Sequence, residues 1–157
     1  MSIHYIDPFI QATINVFQEY FKITPQVKKP FLIKPDDTHN WDVSAIIGIA
    51  GEAKGAVVLS FTDSLATELA GSLAGTASPS TEMVTDAIGE MVNIVAGNAK
   101  KGLEQYRLVI SLPSIVKGKN HHIAWPSRGI PIIGVPFYTE VEPFQLSIGL
   151  ENIITYD

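Results

Sequence analysis

The chain has 157 residues, 46% of them hydrophobic and 17% charged, with a formal net charge of −5, which fits one domain over 1–157 with a core large enough to fold unaided. The acidic balance leaves no basic surface of the kind that nucleic acid requires. Cysteine is absent, so disulfides, thiolate nucleophiles and cysteine metal sites are excluded.

The N-terminus carries no basic stretch leading into an apolar signal core, and no window approaches the roughly 20 unbroken apolar residues of a membrane span. The expectation is a soluble, cytoplasmic chain with no membrane partner. Asp7-Pro8 reads as an N-cap followed by proline at the first helical position, and Phe9, Ile10, Thr13, Ile14, Phe17 and Phe21 then recur at helical spacing. This amphipathic helix ends before Pro25. Residues 26–33 read as extended, and the polar, proline-containing run 35–40 reads as irregular.

The segments 43–50 and 55–61 are rich in Ile and Val, and the glycine-led connection 51–54 has hairpin length, which predicts two adjacent antiparallel strands. Gly48, Gly51 and Gly55 match neither the phosphate-loop pattern nor the dinucleotide fingerprint and belong to this hairpin. Thr62 or Asp63 caps a short helix to about Ala74. Ser80 or Thr81 then opens a long helix over 80–106, and the remainder to Leu150 is β-rich, with strands expected over 109–112, 130–138 and 144–150. The predicted class is α+β, an antiparallel-rich sheet packed against two long helices and a shorter one.

The long helix carries the most informative pattern. At about 100° per residue Glu82, Asp86, Glu90, Asn93, Gly97, Lys100 and Glu104 share one stripe, and Val84, Ala87, Ile88, Met91, Ile94 and Val95 share the opposite side. Asn98 falls among the apolar residues as an exception. A polar stripe is what any surface helix needs, but Gly89 and Gly97 lie beside or on this one, and each glycine costs roughly 0.5–1 kcal/mol relative to alanine inside a helix. A closely approaching partner backbone is one reason for small residues there. Glu90 and Asn93, at i and i+3, project a carboxylate and a carboxamide side by side. A carboxamide cannot serve as a general base at neutral pH, so the pair is not a self-contained hydrolase site.

The run Asp86-Ala87-Ile88-Gly89-Glu90-Met91-Val92-Asn93-Ile94-Val95-Ala96-Gly97 resembles the signature D/S-x-x-x-E-x-x-N-x-x-x-G of the CheC/CheX/FliY phosphatases. The first helix, the 43–61 hairpin, Leu112-Pro113-Ser114-Ile115-Val116-Lys117-Gly118 and the C-terminal strands extend the likeness, which is closest to CheX. The resemblance implies an aspartyl-phosphate phosphatase whose site is completed by a phosphorylated CheY-like response regulator. Glu90 would pair with the regulator's lysine and Asn93 would hold the attacking water in line with phosphorus. Asp86, Gly89 and Gly97 would meet the partner, and Mg²⁺ would be the regulator's own, with no cofactor or metal held by this chain. It also implies a homodimer pairing through its sheets.

The CheC branch carries a second signature in its first helix; aligning Asp7 with Asp86 here puts Gln11 at the Glu90 position and Ile14 at the Asn93 position, so one functional helix per chain is expected. Two other classes stay open. A non-catalytic adaptor would keep the fold and bind a regulator or flagellar-switch component, and a small-ligand sensor would require a concave apolar pocket. His121-His122, pointing opposite ways on a strand, would not converge on one metal. Trp41 and Trp125 read as partly buried packing residues, and Lys100 and Lys101 as partners of the helix dipole.

Overall fold

The computed structural model describes residues 4–34, 37, 39–123, 125 and 130–151. A single 3-10 turn, His4–Ile6, runs directly into helix α1, Asp7–Phe21. Asp7 is therefore not the N-cap: Ile6 occupies that position in helical conformation and makes no side-chain cap, while Pro8 takes its place in the first turn. Two short strands, β1 (Gln26–Val27) and β2 (Phe31–Leu32), follow, then the hairpin of β3 (Val43–Ala50) and β4 (Lys54–Phe61).

Helix α2, Asp63–Ala74, begins at Thr62, whose Oγ1 accepts from Leu65 N at 3.2 Å and donates to the Glu142 carboxylate. It ends at Gly75 with φ +68°, a left-handed position suited to glycine. Helix α3, Thr81–Lys101, is capped by Ser80 Oγ, which accepts from Met83 N at 3.1 Å. It stops at Gly102, short of the expected end at 106; a separate 3-10 turn, Glu104–Tyr106, then leads to β5 (Val109–Ile110), β6 (Ser114–Lys117), β7 (Ile132–Tyr138) and β8 (Pro143–Glu151). No helix of the described residues is long and apolar enough to cross a membrane.

The eight strands of the described residues form one antiparallel sheet in the order β1-β7-β8-β4-β3-β5, with β2 also paired to β7 and β6 to β3. Both C-terminal strands are therefore interior: β8 lies between β7 and β4. The free edges belong to the short strands at either side, and any pairing of two copies along a strand edge would use those instead. Central β4 is buried on both faces from Gly55 to Phe61, which is why its sequence reads as a continuous apolar run rather than an alternation. Gly55 allows β8 its close approach, since a Cβ there would fall 1.7 Å from the Gly149 carbonyl oxygen.

The inner face of the sheet (Ala45, Ile47, Ile49, Val57, Leu59, Phe61, Leu146, Ile148) packs with the helices in one core. Phe144 lies at its centre, stacked with Phe17 of α1 at 4.5 Å and with Phe137 at 5.0 Å between ring centroids. The outer face is covered differently. The Phe31 ring sits over Gly134 and half-buried Trp125 over Gly149, each where a side chain on the glycine would crowd it. Ser44 and Ser60, both fully buried, pair across β3 and β4 at 2.6 Å, and His121 Nε2 reaches Ser44 Oγ at 2.7 Å.

His121 and His122 lie in an irregular segment, not on the expected strand. Nδ1 of His121 meets the Gly118 carbonyl at 2.9 Å, and since a carbonyl only accepts, Nδ1 carries the proton and the Ser44 hydroxyl donates to Nε2. His39 packs against His121 with ring centroids 4.4 Å apart, and its own buried Nδ1 has no partner among the described residues. Burial, reinforced by repulsion from His121 and His122, lowers its pKa from 6.5 to about 4.

The unfolded chain thus takes up a proton at His39 near pH 6.5 and the folded chain only near 4, so this residue costs stability as pH falls between those values. We expect the thermal midpoint to drop less steeply from pH 6.5 to 4 in His39→Gln than in the native chain. Parallel curves would show that His39 does not titrate differently in the two states.

Candidate active site

The orientation of α3 follows from its sequence. Val84, Ile88, Met91, Val92 and Val95 are buried against β3, β4 and β6, with α1 and α2 packed alongside. Burying that many aliphatic side chains, each worth roughly 1.5–3 kcal/mol, fixes the helix about its axis. The opposite stripe is therefore the solvent-facing one: Glu82, Asp86, Glu90 and Lys100 are exposed, and Asn93 and Gly97 are partly exposed.

Glu104 does not extend the stripe, because it lies in the separate 3-10 turn beyond Gly102. Asn98 resolves plainly. It sits at the margin of the apolar side, is exposed, and accepts from Lys101 Nζ at 3.5 Å.

Among the described residues no hydrogen bond or ion pair engages Asp86, Glu90 or Asn93. A carboxylate and a carboxamide one turn apart thus stand in solvent with their bonding capacity unspent. The carboxamide abstracts no proton, so its part in such a pair is to bind and orient. Lys100 and Lys101 occupy the last turn, where they complement the helix dipole.

The two glycines separate in role. Gly89 is buried, and a Cβ on it would rest in ordinary contact with Pro113 Cγ at 3.5 Å and Ile115 Cδ1 at 3.6 Å of the same chain. Gly97 faces open space: apart from its chain neighbours and its own helix backbone, no described atom lies within 4 Å of the point where a Cβ would stand.

Residues 43–137 match the family model of the chemotaxis phosphatase CheX. The chain belongs to the CheX family. Its fold superposes on a CheX from Desulfovibrio desulfuricans with a TM-score of 0.85 at 30% identity, covering 95% of this chain and 100% of that one. A putative chemotaxis protein from Desulfovibrio vulgaris Hildenborough gives 0.85 at 33% identity, with 96% and 98% covered. A chain of the CheX–CheY–BeF3–Mg²⁺ complex from Borrelia burgdorferi shares the fold at 24% identity, with a TM-score of 0.76 and coverage of 95% and 99%. No curated sequence matches the chain.

In this CheX-family chain the first helix has no second copy of the stripe. Gln11 is exposed and donates through Nε2 to Asn15 Oδ1 at 3.0 Å, while Ile14, at the position matching Asn93, packs partly against the core. An open apolar concavity of about 510 Å³ does exist, lined by Ile46, Gly48, Ala50, Val109 and Trp125 among others. It lies on the outer face of the sheet, away from α3. The one side-chain hydroxyl in its lining, on Ser111, is already used by Gly48 N and the Leu112 carbonyl, so no convergent polar groups mark it as a ligand site. Sequence reasoning placed the stripe but not its flank: Pro113 borders Gly89, and the only sequence signal was an apolar residue before proline between two short strands.

Because Gly97 has open space around it, Gly97→Ala should raise unfolding free energy by about 0.5–1 kcal/mol through helix propensity alone. Denaturant titration reads this directly, and a loss of stability would mean that the position is crowded.

Proposed function

We propose that this CheX-family chain accelerates hydrolysis of the phospho-aspartate of a CheY-like response regulator. The supporting observation is that Glu90 and Asn93, one turn apart on α3, face solvent with no partner among the described residues of their own chain. Unspent polar groups on a rigid helix are pre-organised for a partner. Glu90 pairs with the lysine of the receiver's active site, which seats the helix. Asn93 accepts a hydrogen from the attacking water through Oδ1 and holds it in line with phosphorus.

The water oxygen then bonds to phosphorus as the bond to the aspartyl oxygen breaks, giving inorganic phosphate and a free carboxylate, with the water's proton passing to a phosphate oxygen. Mg²⁺ held by the receiver offsets charge on the transferring group. A carboxamide suits this task because orienting a water needs no proton abstraction. Asp86 and Gly97 border the pair and meet the receiver, while Gly89 is buried beside Pro113 and Ile115 of its own chain.

Loss of phosphate from an acetyl-phosphate-labelled, Mg²⁺-bound CheY-like receiver tests this. We expect acceleration by the native chain and a drop of about 100-fold with Asn93→Ala, the scale of a lost positioning group. Glu90→Ala should weaken binding as well as turnover. A native chain that binds the receiver without changing its rate would establish the adaptor reading instead.

We further propose that two copies pair through their sheets, whose free edges are β1 and β2 on one side and β5 and β6 on the other. Light scattering on the purified chain should give twice the chain mass, and a monomer at micromolar concentration would refute it.

A further inference from the structure

Leu112 is 86% exposed, more than any other large hydrophobic side chain described. A lone exposed leucine is ordinary on a protein surface, but this one is held firmly on both sides. Ser111 N donates to the Gly48 carbonyl at 2.9 Å, Gly48 N donates to Ser111 Oγ at 2.9 Å, and that hydroxyl donates on to the Leu112 carbonyl at 2.9 Å. On the other side Pro113 lies against Gly89, and proline restricts the backbone of the residue before it to extended conformations.

The position matters because of what adjoins it. Gly89 precedes Glu90 and shares its side of α3 with Asp86 and Asn93, three residues before and four after. Pro113 therefore forms a shoulder beside Gly89 at one margin of the stripe, with the exposed Leu112 side chain next to it in the chain. Met83, 46% exposed and two turns before Glu90, brings a second apolar surface to the N-terminal end of the same stripe. The stripe thus has an exposed methionine at its N-terminal end and, at the Gly89 margin, a proline that follows an exposed leucine.

We propose that Leu112 is the apolar anchor through which the phosphorylated receiver docks beside Glu90 and Asn93. This rests on the phosphatase reading and adds to it a residue that supplies affinity for the receiver. The occupant is the receiver, because the shoulder is continuous with the stripe that presents the catalytic pair to it. The backbone at Leu112 is held before binding, so little backbone freedom is lost on docking. It is a positioning residue and touches none of the reacting atoms.

The test compares the native chain, Leu112→Ser, Leu112→Met and Asn93→Ala in dephosphorylation of the acetyl-phosphate-labelled receiver, with affinity for the BeF3-activated receiver measured in parallel. Leu112→Ser should raise KM and Kd about tenfold or more while kcat stays within about twofold, as expected for an interface anchor. Leu112→Met should restore most of the affinity, and thermal midpoints should be unchanged because the side chain is almost wholly in solvent.

Unchanged KM and Kd in Leu112→Ser, with Asn93→Ala still abolishing turnover, would overturn the anchor and leave the phosphatase reading intact. A native chain that neither binds nor dephosphorylates the receiver would overturn both. A change in self-association alone, seen by light scattering, would assign Leu112 to a contact between copies and refute the proposal.

Discussion

Burial of the apolar side of α3 against the sheet is the constraint from which the site follows. Ile88, Val92 and Val95 are fully buried, and turning the helix by about half a revolution would trade them for Glu90, Asn93 and Asp86. Placing a carboxylate in the core without a partner costs several kcal/mol, so the helix has one acceptable rotation. The polar stripe is held outward by the hydrophobic effect acting on the opposite side. Rigidity comes with it, since Ser80 caps one end and Gly102 closes the other.

The arrangement divides the chemistry between two molecules. The CheX-family chain offers an acid and an amide on an exposed helix, with no cluster of metal ligands among the described residues. On the reading proposed above, such a surface acquires a reaction against a partner that brings the phosphoryl group and its cation. On the same reading specificity lies in the docking, to which the proposed anchor at the margin of the stripe contributes. The spare helix, α1, illustrates the contrast, because Gln11 and Asn15 satisfy one another and Ile14 turns toward the core.

The two faces of the sheet do different work. The inner face joins aromatic rings around Phe144 to the helices and supplies the main core. The outer face buries hydroxyls and an imidazole, Ser44, Ser60 and His121, in a chain of hydrogen bonds that ends on the Gly118 carbonyl. That network satisfies polar groups that would otherwise be costly in a buried strand pair, and it explains how serines can sit near the open end of an otherwise apolar hairpin.

Much of this was determined by the sequence itself. The helical phase of 81–101 separates polar from apolar residues, the caps Thr62 and Ser80 stand at the helix starts, and the 43–61 hairpin is written in its β-branched residues and Gly51. These are local signals, set by dihedral preference and periodicity, and the likeness in 86–97 lent them a chemical meaning. Tertiary structure decided what local signals do not encode. Helix α3 ends at Gly102, so that Leu103 can enter the core and Glu104 leaves the stripe. A 3-10 turn rather than Asp7 starts α1, the C-terminal strands occupy the middle of the sheet, and His121 reaches Ser44 from a loop. The shoulder at 111–113 is the clearest case, because Pro113 meets Gly89 and Ser111 meets Gly48 across long stretches of chain. Contacts between residues so distant in sequence depend on how the sheet orders its strands, and no local propensity carries that information.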